Sequence, residues 1–248
     1  TPRVNDLNDP LPLLASPIVE EFQQNPNLPL LINLANTGSV AISSKTTTLA
    51  WAVARRLLLD LMVHHSPLDL NIALIADSHG AEARWDWLKW LPHTGALNSD
   101  VKPRRLNFTD SQIDVYLKWL VDEYSSRSRQ DSSFNSTGKH KSSRASLVVL
   151  FDDTGPARQS PQVAHIAAYG YEVGIFLIFI GGRNWPRECR ARIEAIDEHS
   201  FNYVETFEMG NKAKRFEGRL ETVSQEMSEN ITRSLAGLEV VGAEASAQ

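Results

Sequence analysis

The chain has 248 residues, 42% of them hydrophobic and 22% charged, with a formal net charge of -5. That supplies enough apolar material for a sizeable core in one large or two small domains, and we read a single α/β domain over 1–248. The acidic balance gives no global attraction to nucleic acid or anionic lipid, and the single cysteine, Cys189, excludes an internal disulfide and a CxxC metal knuckle and fits a reducing, cytosolic compartment.

Prolines at 2, 10, 12, 17, 26 and 29 remove amide donors too often for a long helix or a central strand. Residues 1–27 therefore read as an extended lead-in with one short helix, Pro17 to Gln24. Leu28 to Leu34 and Ser39 to Ile42 read as two strands joined by a turn at Asn36-Thr37-Gly38. From Thr46 to His64, Leu49, Val53, Leu57 and Leu61 recur every fourth residue, flanked by Ala50, Ala54, Leu58 and Met62, which predicts a long helix packed on a sheet. Ser66-Pro67 ends it. His64-His65 falls at that helix end and suits the dipole there better than it suits a metal.

Asn71 to Ala76 reads as a short buried strand with Asp77 at its end. Ala83 to Leu91 reads as a helix carrying Trp85, Trp87 and Trp90 until Pro92. One narrow helical face cannot hold all three indoles, so at least one is expected to be exposed or to meet a neighbouring domain, while core filling accounts for the other two. Arg104 to Phe108 reads as a strand. Thr109 and Gln112 have capping-box spacing ahead of the helical series Ile113, Tyr116, Leu117, Leu120, Tyr124.

Residues 125–144 hold eight serines, five Lys or Arg and one Asp, with Phe134 almost the only apolar side chain. Such a stretch buries too little to offset its ordering entropy and reads as a flexible surface insertion; it could touch phosphate or acidic lipid, but a solvated loop with no role is the favoured reading. Leu147 to Asp153 follows, an apolar run ending in two carboxylates, as expected for a strand covered on both faces in a parallel sheet. Gln162 to Tyr171 reads as a helix and Gly174 to Ile180 as a second apolar strand, ending in Gly181-Gly182. Trp185 to Arg192 reads as a short helix, and Ile193 to Ile196 and Asn202 to Phe207 as strands. The last helix spans 222–237, opened by Thr222 and Gln225 and closed near Gly237, with Val223, Met227, Ile231 and Leu235 at fourfold spacing. Alternating strands and helices predict a mainly parallel sheet covered by helices on both faces. The longest apolar runs, near Leu57 to Val63 and Val173 to Ile180, are far short of the ~20 residues that span a bilayer.

Ligands of open α/β sheets collect at the carboxyl ends of strands, and an apolar strand ending in Asp is how P-loop ATPases present the acid that holds Mg²⁺. Asp152 stands there. Asp153 takes the place where a longer Glu would position water, so hydrolysis by this chain alone is not expected. A working phosphate loop reads GxxxxGK[ST]. Here the strand-to-helix junction is Gly38-Ser39-Val40-Ala41-Ile42-Ser43-Ser44-Lys45-Thr46-Thr47. Lys45-Thr46 matches the end of the motif, but Ser43 and Ser44 stand where the loop needs permissive residues, and Gly38 lies one residue too far back. Lys45, Thr46, Asp152 and Asp153 are thus the candidate nucleotide positions of a degenerate site, with a polar, Thr-capped helix start as the alternative for the first two. Gly181-Gly182 could form a sensor loop or a tight turn. HExxH, GxSxG and EF-hand patterns are absent, and no catalytic or metal-binding set is assigned.

Two segments carry a resemblance: His65-Ser66-Pro67-Leu68-Asp69-Leu70-Asn71-Ile72-Ala73-Leu74-Ile75 and Trp85-Asp86-Trp87-Leu88-Lys89-Trp90-Leu91-Pro92-His93. They resemble the region ahead of the first clear ATPase module in FtsK/SpoIIIE-type ATPases of type VII secretion, the EccC/EssC family. The resemblance extends to 147–153, Val173 to Ile180, Pro186 to Ala191 and the last helix. It implies a RecA-like, P-loop-NTPase-like fold with degenerate nucleotide motifs, and a parent motor anchored at the cytoplasmic face of the cell membrane. It also implies neighbouring ATPase modules and other secretion-system subunits as partners, a homo-hexameric parent, Mg-ATP in the parent and no cofactor in this domain. A module of a DNA translocase of the same superfamily is the alternative, disfavoured by the net charge of -5; a weakly active NTPase is another.

Overall fold

In a computed structural model, residues 29–95, 103–134, 144–152, 155–181, 187–206 and 213–237 are described. Residues 33–248 form one compact unit, and residues 1–32 are grouped apart from it. The lead-in over 1–27 lies outside the described residues.

The apolar run after residue 145 forms β4 (Ser146–Phe151), near the middle of an eight-stranded sheet. The others are β1 (Val40–Ser44), β2 (Leu70–Ile75), β3 (Leu106–Asn107), β5 (Ile175–Ile180), β6 (Ala191–Ala195), β7 (Ser200–Glu205) and β8 (Lys214–Arg219), in the order β3-β2-β4-β5-β1-β6-β7-β8. All pairings from β3 to β6 are parallel; β6–β7 and β7–β8 are antiparallel. The helices are α1 (Leu34–Thr37), α2 (Thr47–His64), α3 (Ala81–Trp85), α4 (Asp110–Phe134), α5 (Pro161–Tyr169) and α6 (Gln225–Leu235).

Strand side chains alternate between faces. The odd-numbered residues Leu147, Val149, Phe151, Ile175, Leu177 and Phe179 share one core with Ile113, Tyr116 and Leu120 of α4 and with Val163, Ile166 and Ala167 of α5. The even-numbered Val148, Leu150, Phe176, Ile178 and Ile180 are also buried, on the face that α2 covers. The central strands are thus covered on both sides, which is why they read as unbroken apolar runs. On α2 the fully buried stripe is Ala50, Ala54, Leu58 and Met62, with Val53 and Leu59 beside it, while Leu49, Leu57 and Leu61 are half-buried. The period was legible, and the stripe is shifted by one residue.

Several regions differ from the reading of the sequence. Residues 28–34 form no strand within the described part; Leu34–Thr37 is one helical turn, capped by the Asn33 side chain on the Ala35 amide and ended by Gly38 at φ 76°. That left-handed backbone is a glycine conformation and accounts for the stop. Residues 125–134, expected to be flexible, continue α4. Arg127 is buried there, donating to Glu123 (2.8 Å) and to the carbonyls of Val173 (3.1 Å) and Ala145 (3.1 Å), so one charged side chain ties the extended helix to the sheet. Residues 187–190 are turn rather than helix and Ala191 already belongs to β6; β8 was not anticipated.

Candidate functional site

The carboxyl ends of the parallel strands set the site. Phe151 is level with Phe179, and Ile42 with Ile180, so Asp152 is level with Ile180 on β5 and, one strand further, with Ile42 on β1. Beyond that level β1 continues in the sheet: Ser43 and Ser44 pair with Glu194 and Ala195 of β6. Two residues, Lys45 and Thr46, then connect to α2. Both are exposed; Thr46 is extended (φ -121°, ψ 136°) and makes no side-chain cap bond, and its carbonyl accepts from the Ser44 hydroxyl. The two serines therefore sit in strand geometry, and the connection is too short to wrap a phosphate. Lys45 lies three residues beyond the level of Asp152, roughly 10 Å along the strand direction, and two strand spacings, again roughly 10 Å, across it. Neither Lys45 nor Thr46 is among the hydrogen-bond donors to Asp152. Asp153 lies outside the described residues.

Asp152 is buried, 5% exposed, and as an even-numbered residue it lies on the α2 face. Its Oδ1 accepts from Trp51 Nε1 of α2 at 3.0 Å. Its Oδ2 accepts from Trp85 Nε1 at 2.6 Å and from the Arg84 guanidinium at 2.8 Å, both from α3. Arg84 is held in turn by the Ser78 hydroxyl (3.0 Å) and the His79 carbonyl (3.1 Å), and its guanidinium lies 3.4 Å from the centroid of the Trp51 ring. A carboxylate has about four acceptor positions. Three carry protein donors here, one of them a cation, so Asp152 braces α2 and α3 against the sheet. Three of its about four acceptor positions are thus already committed to protein donors.

The depression beside these groups, at the ends of β2 and β3, has a volume of about 640 Å³ and is lined by Ser78, Glu82, Asp86, Phe108 and Thr109 among others. Among the described residues its lining includes the carboxylates of Glu82 and Asp86 and no basic side chain. Among the described residues no three His, Cys, Asp or Glu are grouped to hold a metal, and no helix is long and apolar enough to cross a membrane. Gly181 has φ 79° and its amide donates to the Ile42 carbonyl (2.8 Å), a turn serving the β1–β5 junction; Gly182 is outside the described residues.

The tryptophan segment forms α3 and then a 3₁₀ turn over Asp86–Trp90, instead of one helix. Trp85 and Trp87 are buried, and Trp90 is partly exposed. Helix α6 covers this segment. Gln225 Nε2 donates to the Ala83 carbonyl (2.8 Å), Thr232 Oγ1 to the Trp87 carbonyl (3.4 Å), and Arg233 stacks 4.8 Å from the Trp90 centroid. The two halves of the sequence resemblance also touch: His93 Nε2 lies 2.8 Å from the His65 carbonyl. A carbonyl only accepts, so Nε2 carries the proton, and burial lowers the pKa of His93 below its ordinary value. Of the residues that hold Asp152, Trp85 stood out in the sequence, as an indole rather than as a donor. Trp51 and Arg84 had no local signal.

No family model matches the chain. Over 71 residues it is 40% identical to the ESX-4 secretion system protein EccC4 of Mycobacterium tuberculosis, a match covering 29% of this chain and 6% of the relative. Among solved structures, EssC (ATPases 2 and 3) from Geobacillus thermodenitrificans superposes with a TM-score of 0.56 at 16% identity, covering 81% of this chain and 43% of that one. Its fold is that of the EccC/EssC ATPase modules. The cytoplasmic domain of the Thermomonospora curvata type VII secretion ATPase EccC gives a TM-score of 0.57 at 16% identity, covering 82% of this chain and 28% of that one. The chain thus resembles the ATPase modules of type VII secretion EccC/EssC proteins, and spans less than half the length of each of these relatives.

Proposed function

We propose that this chain is an ATPase-like coupling module of a type VII secretion motor that neither binds nor hydrolyses nucleotide by itself. The observation that carries this reading is the Asp152 carboxylate: the acid expected to serve Mg²⁺ is engaged by Arg84, Trp85 and Trp51. The resemblance to EccC and EssC supports the secretion role, and the short β1–α2 connection supports the loss of nucleotide chemistry. In this reading Mg-ATP is used by neighbouring ATPase modules of the parent protein, a FtsK/SpoIIIE-type hexamer anchored at the cytoplasmic face of the membrane. The module's own contribution is mechanical: Asp152 couples α2 and α3 to the sheet, and α6 joins the tryptophan segment to the end of the fold.

Thermal unfolding with millimolar Mg-ATP tests it. A ligand at a hundred times its Kd would add ~2.7 kcal/mol. For a domain of this size each kcal/mol moves Tm by roughly 2–4 °C, so true binding would raise it by roughly 5–10 °C. The expected shift is near zero. A shift of that size, abolished by Lys45→Ala, would overturn the proposal, because Lys45 is an exposed side chain whose loss leaves the fold intact.

A further inference from the structure

Strand β8 ends the sheet, and among the described residues no strand lies beyond it. Lys214, Arg215, Phe216, Glu217 and Arg219 are all exposed. The bond from the Leu220 amide to the His199 carbonyl (2.8 Å) fixes which peptide groups face β7. Residue pairs alternate between bonded and non-bonded along an antiparallel ladder, and Phe216 is opposite Tyr203. Residues 214, 216 and 218 therefore turn their peptide groups towards β7, while Arg215, Glu217 and Arg219 turn theirs outwards. Side chains follow the same rhythm. Phe216, 45% exposed, shares a face with Tyr203 and Ile193, its ring 6.1 Å from that of Tyr203; Arg215 and Glu217 share the other face.

An outward row of peptide groups is a template for another strand. We propose that β8 pairs antiparallel with β8 of a second copy of this chain, in the register centred on Phe216. A two-fold axis perpendicular to the sheet keeps each face with its own kind, so residues directly opposite one another must be of the same parity. A register centred on Arg215 puts Arg215 against itself. One centred on Glu217 puts Glu217 against itself and Arg215 against Arg219. Like charges directly opposite are destabilising. Centred on Phe216, Arg215 meets Glu217 of the second copy, twice, and these are the residues whose peptide groups point outwards. Phe216 then meets its own copy at a non-bonded position, where Cα atoms come within ~4.5 Å and side chains are closest. The row Ile193–Tyr203–Phe216 thereby continues across the axis. Charges reject the registers centred on Arg215 and Glu217; one centred on Gly218 also opposes Glu217 and Arg219 but pairs only three residues of β8 against five, so strand overlap together with charge selects the Phe216 register, and the inference rests on the edge alone, independent of nucleotide or secretion.

Sedimentation equilibrium of the 248-residue chain over a wide concentration range is the test. The wild type is expected to approach twice the monomer mass. Arg215→Glu and Glu217→Arg should each stay monomeric where the wild type is dimeric, with unchanged melting curves. Mixed in equal amounts they should form the dimer again, since one variant then presents two acids to the two bases of the other. Glu217→Pro should also be monomeric, because it removes an outward amide and leaves the β7 ladder intact. A wild type that stays monomeric throughout, single variants that dimerise alone, or a mixture that fails to dimerise would overturn the proposal.

Discussion

The Arg84 guanidinium lies 2.8 Å from the Asp152 carboxylate, with both side chains close to nine-tenths buried. Breaking one side of such a pair leaves an uncompensated charge, typically at a cost of about 3–5 kcal/mol. Arg84→Ala and Asp152→Asn should each destabilise by about 3 kcal/mol. The double variant should cost less than the sum by more than ~1 kcal/mol, since the two groups act on each other directly. Urea unfolding of the four proteins checks this; strict additivity would mean that the pair is not coupled.

Glycine at positions 43 and 44 would supply the flexibility a phosphate loop needs, yet Ser43 and Ser44 are paired strand residues opposite Glu194 and Ala195. Ser43→Gly with Ser44→Gly is expected to cost roughly 1–2 kcal/mol in total, from the entropy of two strand glycines. It should confer no Mg-ATP binding, because Asp152 stays engaged. Isothermal titration showing saturable Mg-ATP binding to this variant would contradict that.

Arg127 bonds Glu123 in its own helix and the carbonyls of Val173 and Ala145, just ahead of β5 and β4. Truncation to alanine would leave buried acceptors unpaired, at about 1–3 kcal/mol each. Arg127→Ala is therefore expected to destabilise by about 3 kcal/mol, and Arg127→Lys to recover little of it, since an ammonium cannot serve divergent acceptors as a guanidinium fork does. Full recovery by lysine in a denaturant titration would show that charge alone matters.

Arg127 also marks where the sequence stops being legible. The β4 and β5 runs are apolar because both sheet faces are covered, and the periods of α2 and of the first half of α4 follow from packing on that sheet; these features are local. The continuation of α4 depends on carbonyls 18 and 46 residues away. A serine-rich segment gives no hint of such partners. The same holds at the site: Asp152 was visible as a strand-end acid, but its donors lie 101 residues away at Trp51, 68 at Arg84 and 67 at Trp85. Strand β8, Lys-Arg-Phe-Glu-Gly-Arg, has a single large apolar side chain and, among the described residues, pairs only with β7, so neither period nor hydrophobicity announces it.

His93 gives the chain a defined response to acid. Its Nε2–H donates to the His65 carbonyl (2.8 Å), the residue is 4% exposed, and burial is the largest influence holding its pKa below the ordinary 6.5. The unfolded chain binds a proton at this residue more readily than the folded one. Stability is therefore highest above the unfolded value, falls as pH drops below about 6.5, and levels off once pH is below the folded value. His93→Gln keeps an Nε2 donor for the His65 carbonyl but cannot be protonated. It should lose this part of the pH dependence while retaining most of the stability at neutral pH. Unfolding free energies measured from pH 8 to 5 are expected to converge for the two proteins towards the acidic end; parallel curves would show that His93 does not titrate with folding.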